Sequence, residues 1–321
     1  MRGHLPICAA LCLLGAGVSA GAQQYPAKAI RMVVGVAPGG NVDITARLVS
    51  QKLTLALNQS VVVDNRGGAG GMIGADLVAK SIPDGYTLLV ISSALMVNAA
   101  TIKNSPYDPI RDFAPVSTLA YGPHFVVVNA AMPVNSVKEL IALARAKPGS
   151  INFGSTGVGS LSHLEGEFFK SAASIDITFI PYKGNNLALT DLVSGNVQVV
   201  FSSTVSILPF VRTGKVRIIA VTGSTRLATF PEIPTVAESG LPQFIVDTVV
   251  GMLAPAKTPR DIIDRLSAEC IKFLHTSEVR NALEAQGSEA GGSTPQEYSA
   301  KIAGEIARWK TVVANAGIAT Q

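Results

Sequence analysis

The sequence has 321 residues, of which 48% are hydrophobic and 15% are charged. This balance is typical of a folded protein with one large or two moderate domains, and it excludes a disordered chain. The formal net charge is +4, but the basic residues are scattered without any run of Lys or Arg, which argues against nucleic-acid binding.

The first 22 residues have the features of a secretory signal peptide. A short polar start precedes an apolar run over residues 5–18, and Ala20-Gly21-Ala22 supplies a cleavage signal. No later stretch is apolar over the roughly 18 residues that a membrane span requires. We therefore predict that residues 1–22 are removed and that the mature protein is soluble in the periplasm.

Cysteine usage agrees with this prediction. Removal of the signal peptide takes Cys8 and Cys12 with it, which leaves Cys270 without a partner for an intramolecular disulfide. Cys270 lies on the apolar face of a predicted helix, so we expect a buried and unreactive thiol.

Strand-like and helix-like segments alternate through the rest of the chain. This order is typical of an α/β protein with mixed, mainly parallel sheets and helices on both faces. Strands are predicted over residues 30–36, 61–63, 86–91 and 125–128, near Ile151, Ile177 and Val197, and over residues 216–222 and 244–253. Helices are predicted over residues 42–57 and 137–146. A further helix is predicted to follow residues 67–71 and end at Lys80, and two long helices are predicted at the C-terminal end.

Four predicted helix starts carry a Ser or Thr three residues before an acid, the pattern of a side-chain cap. The pairs are Ser136 with Glu139, Ser162 with Glu165, Thr258 with Asp261, and Thr294 with Glu297. Pro259 and Pro295 stand at predicted first helical positions, where a missing N–H costs nothing. The last helix has an apolar stripe that includes Trp309, and this stripe predicts a surface that faces the core.

Two glycine-rich loops connect a predicted strand to a predicted helix. The first contains Pro38-Gly39-Gly40 and precedes Asp43, and the second contains Ser155, Thr156, Gly157, Ser160 and His163. Such a loop is ordinarily only a tight connection. Two of them favour a site between two lobes, because glycine lets the backbone approach a ligand and a helix start offers unpaired N–H groups to a carboxylate. Asp43 has an alternative role in complementing the helix dipole.

Signatures of enzymes and cofactor sites are missing or incomplete. Residues 68–74 resemble a dinucleotide-binding loop, but the final glycine is one residue too far along. The sequence has no G-x-S-x-G elbow. The three histidines of the mature chain, His124, His163 and His275, are too dispersed for a metal site. We therefore predict a non-enzymatic protein with no catalytic residue, no cofactor and no metal.

Short motifs along essentially the whole mature chain resemble one known family. They include Tyr25-Pro26, Pro38-Gly39-Gly40 with Asp43, Asp64-Asn65-Arg66, Pro83-Asp84-Gly85-Tyr86-Thr87, Tyr107-Asp108-Pro109, Pro181-Tyr182-Lys183-Gly184, Pro234-Thr235-Val236-Ala237-Glu238 and Leu253-Ala254-Pro255. On these motifs the chain is similar to the extracytoplasmic substrate-binding receptors of tripartite tricarboxylate transporters, the Bug family. The match is specific for the family and not for a ligand.

The resemblance implies a two-lobed periplasmic-binding-protein fold of type II that closes on a small carboxylate. Residues 23–123 and 229–321 would form lobe 1, and residues 124–228 would form lobe 2. The chain would act as a monomer and deliver its ligand to a membrane transporter with one large and one small subunit. The alternatives are a ligand sensor that presents its closed form to a signalling partner and, more remotely, a secreted α/β enzyme.

The resemblance also implies which residues bind the ligand. In lobe 1 they are Val36, Pro38, Gly39, Gly40, Asp43, Ser92 and Ser93. In lobe 2 they are Ser155, Thr156, Gly157, Ser160, His163, Lys183, Gly184, Phe201 and Ser202. Lys183 and His163 have alternative roles, as a surface cation and as a packing residue at a helix start.

Three positions depart from the pattern that many relatives share. Val36 stands where Phe is common, Ser202-Ser203 stands where Asp-Asn is common, and Val249 stands where Trp is common. We hypothesise a pocket with more room and less fixed negative charge than is usual in the family. Such a pocket disfavours an amino acid and favours a bulkier carboxylate.

Overall fold

The computed structural model describes residues 25–320, so the predicted signal peptide, Cys8 and Cys12 lie outside the described residues. The strands are β1 (Ile30–Val34), β2 (Val61–Asn65), β3 (Thr87–Ile91), β4 (Phe113–Asn129), β5 (Asn152–Ser155), β6 (Thr178–Pro181), β7 (Val199–Ser203), β8 (Val216–Val221), β9 (Asp247–Pro255) and β10 (Glu289–Ala290). The helices are α1 (Asn41–Leu57), α2 (Met72–Ala79), α3 (Ala94–Thr101), α4 (Val137–Ala146), α5 (Leu161–Ala173), α6 (Asn185–Ser194), α7 (Thr204–Val211), α8 (Arg260–Leu274), α9 (Ser277–Glu284) and α10 (Pro295–Asn315).

The first sheet is mixed and has helices on both faces. β1 lies between β2 and β3, parallel to both, and β3 is followed by β9 and then β4 in antiparallel pairings. α1, α8 and α9 pack on one face, and α2, α3 and α10 pack on the other. Because both faces are covered, these strands are almost continuously apolar, as is usual for buried parallel strands.

The second sheet repeats this arrangement. β5 lies between β6 and β7, parallel to both, while β7 and β8 flank the second part of β4 in antiparallel pairings. α4 and α5 cover one face, and α6 and α7 cover the other. The chain is therefore a mixed α/β protein with two helix-covered sheets, as predicted.

β4 joins the two sheets. Residues 113–123 pair with β9 in the first sheet, and residues 124–128 pair with β7 and β8 in the second. β8 and β9 follow each other along the same side of β4, and the segment 222–246 between them folds back on the second sheet. There the Val246 amide donates to the Thr222 carbonyl at 2.7 Å. The two sheets are thus connected by neighbouring strands.

The last helix, α10, packs against both sheets. Tyr298 and Ile302 lie in the core of the first sheet, whereas Trp309 and Val313 lie in the core of the second. The segment 229–246, which the resemblance assigns to lobe 1, packs on the second sheet instead. Val236 and Phe244 lie in the same core as α4 and α5, and Phe230 packs on the opposite face of that sheet. The predicted apolar stripe of α10 is buried. Packing in the C-terminal part of the chain is therefore shared between the two sheets.

Several elements were not apparent from the sequence. α3, α6 and α7 were not predicted, and α7 contains Pro209, which disfavours a helix. β4 has 17 residues, whereas only its second part was predicted, since Pro115, Gly122 and Pro123 interrupt the strand pattern. The C-terminal region has three helices rather than two, because Thr276 caps a separate α9.

Two of the four predicted helix caps are correct. Ser136 caps α4, and Thr294 forms a capping box at the start of α10. α5 is capped by Ser160 rather than by Ser162, because the Ser162 hydroxyl is engaged by the loop in front of the helix. Thr258 does not cap α8, since its hydroxyl donates to a carbonyl three residues earlier at 2.8 Å.

Two further expectations concern Cys270 and the membrane. Cys270 is buried in the core of the first sheet, as predicted, and burial raises the pKa of its thiol, which disfavours the reactive thiolate. Within residues 25–320, no helix combines the length and the apolar character needed to cross a bilayer.

Candidate functional site

The carboxyl ends of the parallel strands in both sheets point to the part of β4 that joins the sheets. In the first sheet, Ile91 at the end of β3 pairs with Gly251 of β9, which in turn pairs with Thr118 of β4. In the second sheet β7 runs opposite to β4, and its last residue, Ser203, pairs with His124. The loops that follow β1, β3, β5, β6 and β7 therefore all face this crossover of β4. Open α/β sheets bind ligands outside the carboxyl ends of their strands.

In the first glycine-rich loop, Pro38, Gly39 and Gly40 are exposed. Gly39 has a φ of +92°, a conformation that favours glycine, and a Cβ atom added to either glycine would have no neighbour within 4 Å. The backbone here is open to a ligand. Val36 is half-buried against the first core, at the base of this loop.

Asp43 fixes the shape of the first loop from below. Its carboxylate accepts hydrogen bonds from the Gly39 amide at 2.9 Å, from Arg47 at 3.0 Å and from Asn65 at 2.8 Å. Burial opposes ionisation of this carboxyl, but these hydrogen bonds outweigh burial and hold the pKa of Asp43 below its ordinary value. Both oxygens are thus occupied, and Asp43 supports the loop rather than offering a free acceptor.

The loop after β3 contributes Ser92 and Ser93. Ser93 is buried, and its hydroxyl accepts a hydrogen bond from the Val249 amide at 2.8 Å, so it ties α3 to β9. The Ser92 hydroxyl is half-buried and accepts from the Ala94 amide at 3.3 Å. Val249 is itself buried in the core of the first sheet. Its small size therefore does not widen the edge of the site.

The second glycine-rich loop is held by its own hydroxyl groups. The Ser160 hydroxyl donates to the Gly157 carbonyl at 2.8 Å, and the buried Ser155 hydroxyl accepts from the Gly157 amide at 3.3 Å. The Thr156 amide donates to Ser162 at 3.2 Å, and its side chain is exposed. Most amides of this loop are consequently used within the loop, which fixes its conformation before a ligand arrives.

His163 supports the same loop. Its Nδ1 accepts a hydrogen bond from the Gly159 amide at 3.1 Å, and its ring stacks on Phe179 with a centroid distance of 3.8 Å. Burial, and to a smaller extent the positive charge of Lys170, lower the pKa of His163 to about 4. The ring is therefore neutral at neutral pH and acts as an acceptor, in the packing role that the sequence left open.

His163 makes stability depend on pH. Its ordinary pKa of 6.5 falls to about 4 on folding, so the unfolded chain takes up a proton first as the pH falls. The stability that the neutral His163 ring contributes to the folded state is complete above pH 6.5 and is lost as the pH falls towards 4. We expect His163→Asn, whose side-chain oxygen can accept from Gly159, to reduce the loss of unfolding free energy between pH 7 and 4.5 by about 2–3 kcal/mol.

Urea unfolding of both proteins at the two pH values measures this difference. His275→Asn, at an exposed position, serves as the control and is expected to behave like the wild type. Equal pH dependence in the wild type and His163→Asn would contradict the assignment of a depressed pKa.

The remaining predicted residues are divided between the edge and the core. Lys183 is exposed, and Gly184 has open space at its Cα. Ser202 is buried and accepts a hydrogen bond from Asn185 at 2.9 Å. Phe201 was predicted to bind ligand, but its ring is buried among other phenylalanines in the second core. Neighbouring strand residues face opposite sides, which directs Phe201 into the core.

Among the helices that begin at this edge, α1 and α6 start with unpaired amides and have a glycine where a capping side chain could stand. α1 and α6 have Gly40 and Gly184 before their first residues, and neither glycine supplies a side-chain cap. Among the described residues, the amides of residues 41–43 and 185–187 have no hydrogen-bond acceptor. Such amides, together with the positive end of the helix dipole, bind anions.

Two successive contacts link the first loop to the start of α7 in the other half. Asn41, the first residue of α1, donates to the Ser288 hydroxyl at 3.2 Å. The neighbouring Gly287 lies against Thr204 at the start of α7, and a Cβ on this glycine would be 2.5 Å from the Thr204 side chain. No pattern in the sequence pointed to these four residues, because they adjoin the loops only in the folded chain.

This geometry defines a class of protein. Two helix-covered α/β sheets joined by a shared strand, with helix starts from both facing the joint, form a periplasmic-binding-protein-like fold. A profile of the TctC family, described as the tripartite tricarboxylate transporter family receptor, matches residues 45–318. The chain belongs to this family of solute-binding receptors, which are not enzymes.

Individual relatives agree with this assignment. BugT of Bordetella pertussis is 38% identical over 306 residues, which cover 94% of this chain and 94% of BugT. The structure of Rpa4515 of R. palustris with adipate has a TM-score of 0.81 and 35% identity, and the match covers 92% of this chain and 99% of Rpa4515. MatC of Rhodopseudomonas palustris with bound malate has a TM-score of 0.75 and 31% identity, covering 90% of this chain and 100% of MatC.

Proposed function

We propose that the chain captures a small carboxylate between its two halves and delivers it to a tripartite tricarboxylate-type membrane transporter. The observation that carries this proposal is the pair of uncapped helix starts, α1 and α6, on loops that face one crossover. Carboxylate oxygens accept hydrogen bonds from such amides, and each helix dipole adds about 0.3–1 kcal/mol of attraction. The exposed side chain of Lys183 adds positive charge beside α6.

In this proposal residues 23–123 and 247–321 act as lobe 1 and residues 124–246 act as lobe 2, with the boundary moved from residue 228 because residues 229–246 pack on the second sheet. The change of strand partners along β4 supports a pivot near residue 123. Closure would be driven by contacts that the ligand makes with both lobes at once. We further propose export to the periplasm by cleavage of residues 1–22, and action as a monomer that docks on one large and one small membrane subunit.

The ligand we propose is a dicarboxylate or another bulky carboxylate. Rpa4515 has been solved with adipate and MatC with malate, which makes dicarboxylates the first compounds to test. Val36 lies half-buried against the first core, three residues before Gly39, where a larger ring would take up more room at the base of the first loop. The proposed extra room therefore rests on Val36, since Val249 is in the core.

A thermal-shift screen of the purified mature protein tests the proposal. The panel contains adipate, malate, citrate, aromatic acids and amino acids, with the uncharged diamide of adipate as the control. A ligand at 100 times its Kd stabilises the folded state by about 2.7 kcal/mol and raises the melting temperature, whereas the diamide should not. Melting temperatures unchanged by every carboxylate would contradict the proposed function.

We expect Val36→Phe to weaken binding of the bulkiest carboxylate that binds by about tenfold or more, with a smaller effect on malate. The added ring occupies the space that the ligand needs. Isothermal titration calorimetry measures both affinities, and Val62→Phe, at a position that is 55% exposed on β2, controls for an added surface ring. Unchanged affinity for every ligand would show that Val36 does not border the site.

A further inference from the structure

Two buried threonines lie where the halves touch. Thr204, the first residue of α7, lies against Gly287 of the first half, where an added Cβ atom would be 2.5 Å from the threonine side chain. Thr101, the last residue of α3, lies against Gly159 of the second half, where the same distance is 3.2 Å. Thr204 is 4% exposed and Thr101 is 2% exposed. Both hydroxyls are therefore withdrawn from solvent at the boundary between the halves.

The two hydroxyls differ in their hydrogen bonds. The Thr101 hydroxyl donates to the Val97 carbonyl, one turn earlier in α3, at 3.0 Å. Thr204 has no carbonyl of its own helix one turn earlier, because its helix begins with it and the preceding residues belong to β7. Among residues 25–320, no group forms a hydrogen bond with the buried Thr204 Oγ1. Of the two contacts, only the one at Thr204 buries an unpaired hydroxyl.

An unpaired hydroxyl costs free energy only while it is buried. Water satisfies the same group once it is exposed, so a conformation that uncovers Thr204 avoids this cost. Gly287 covers Thr204 from the opposite half. Rotation of the halves about the proposed pivot would draw Gly287 away and admit water to the hydroxyl. The free energy of the buried hydroxyl is therefore coupled to the separation of the halves.

We propose that the Thr204 hydroxyl opposes contact between the halves and so favours the open receptor when no ligand is bound. The inference rests on the proposed function, in which a carboxylate draws the halves together. A ligand that closes the receptor has to offset the cost of burying this hydroxyl, and its apparent affinity is lowered by the corresponding factor. Thr204 thus sets the balance between the open and closed receptor without contacting the ligand.

The alternative role for this hydroxyl is a hydrogen bond to the ligand. That bond requires an acceptor beside an oxygen that is already buried against Gly287. The two roles predict opposite results when the hydroxyl is removed. Binding becomes tighter if the hydroxyl opposes closure, and weaker if it donates to the ligand.

Thr204→Val tests the proposal, because valine keeps the branched shape of threonine and removes the hydroxyl. We expect Thr204→Val to bind adipate about three- to tenfold more tightly than the wild type, as measured by isothermal titration calorimetry. Without ligand, small-angle scattering should give the variant a smaller radius of gyration than the wild type. If adipate does not bind the wild type, the tightest-binding carboxylate of the thermal-shift screen replaces it.

Thr101→Val is the matched control. It makes the same substitution at the other contact between the halves, where the hydroxyl is already paired with Val97. Its adipate affinity should not exceed that of the wild type, and its free form should be no more compact. Thr204→Ala and Thr204→Ser provide a second comparison in case valine disturbs folding, since both lose the methyl group and only serine keeps the hydroxyl. Thr204→Ala should bind adipate about threefold or more tightly than Thr204→Ser.

The possible outcomes are distinct. Unchanged adipate affinity in Thr204→Val would show that the buried hydroxyl has a partner, such as an internal water, and would overturn the inference. Weaker binding would also overturn it and would assign the hydroxyl to the ligand. In both cases the wild type still binds, so the proposed function stands. If no carboxylate binds the wild type, the proposed function fails, and a free Thr204→Val protein no more compact than the wild type would overturn the inference as well.

Discussion

Replacing Gly287 by Ala is expected to weaken ligand binding by about tenfold or more, which corresponds to about 1.4 kcal/mol. Gly287 belongs to the first half and Thr204 to the second, and the two residues are in contact, so the proposed closure has to accommodate this contact. An added Cβ would lie 2.5 Å from the Thr204 side chain, well inside van der Waals contact. The variant should therefore populate conformations in which the halves are farther apart.

The control for this variant is Gly214→Ala. Gly214 has a φ of +69° and Gly287 has a φ of +68°, so alanine suffers the same backbone strain at both, but Gly214 has no neighbour within 4 Å. Calorimetry with adipate and small-angle scattering measure affinity and lobe separation. Adding Thr204→Gly to Gly287→Ala should restore binding, and equal affinity of the two single variants would contradict the expected role of this contact.

Asp43→Ala is expected to lower the free energy of unfolding by about 2–4 kcal/mol and to weaken ligand binding at the same time. The substitution leaves the Gly39 amide and the Asn65 and Arg47 side chains without their buried acceptor, and loss of a buried charged hydrogen-bond network has effects of this size. The first loop then loses the hydrogen bond that sets its conformation.

Asp43→Asn keeps one acceptor oxygen. Its free energy of unfolding and its ligand affinity should therefore lie between those of Asp43→Ala and the wild type. Asp264→Ala removes a carboxylate that is 52% exposed and paired with Arg260, so its cost should stay below about 1 kcal/mol. Chemical unfolding and adipate titration report the two quantities. An Asp43→Ala protein with wild-type stability would show that these hydrogen bonds are replaced by water.

The periodic pattern of the sequence predicted the strands and long helices because both sheets are covered by helices, and covered strands are apolar throughout. It could not reveal β4 as one strand, since Gly122 and Pro123 resemble a turn. In the fold these residues are the place where the strand changes partners. α7 was likewise hidden by Pro209.

At the site, motif resemblance identified the loops but not the role of each side chain. Asp43 and His163 fit a ligand-binding pattern, yet their polar atoms hold the loops themselves. Phe201 and Ser202 are neighbours in sequence but face opposite sides of a strand. The Ser162–Glu165 spacing fits a helix cap, whereas Glu165 in fact meets His124, a residue 41 positions away. Long-range pairs of this kind leave no local signal.

The placement of α10 has a mechanical consequence. A continuous helix with Tyr298 in one core and Trp309 in the other forms a strut across the proposed pivot. A wide opening requires the strut to flex or Trp309 to leave its core. Gly304 lies between the two anchors and touches nothing on its open side, so it is the point where flexing meets least resistance. In the proposed closure, this helix therefore restricts how far the two halves can separate.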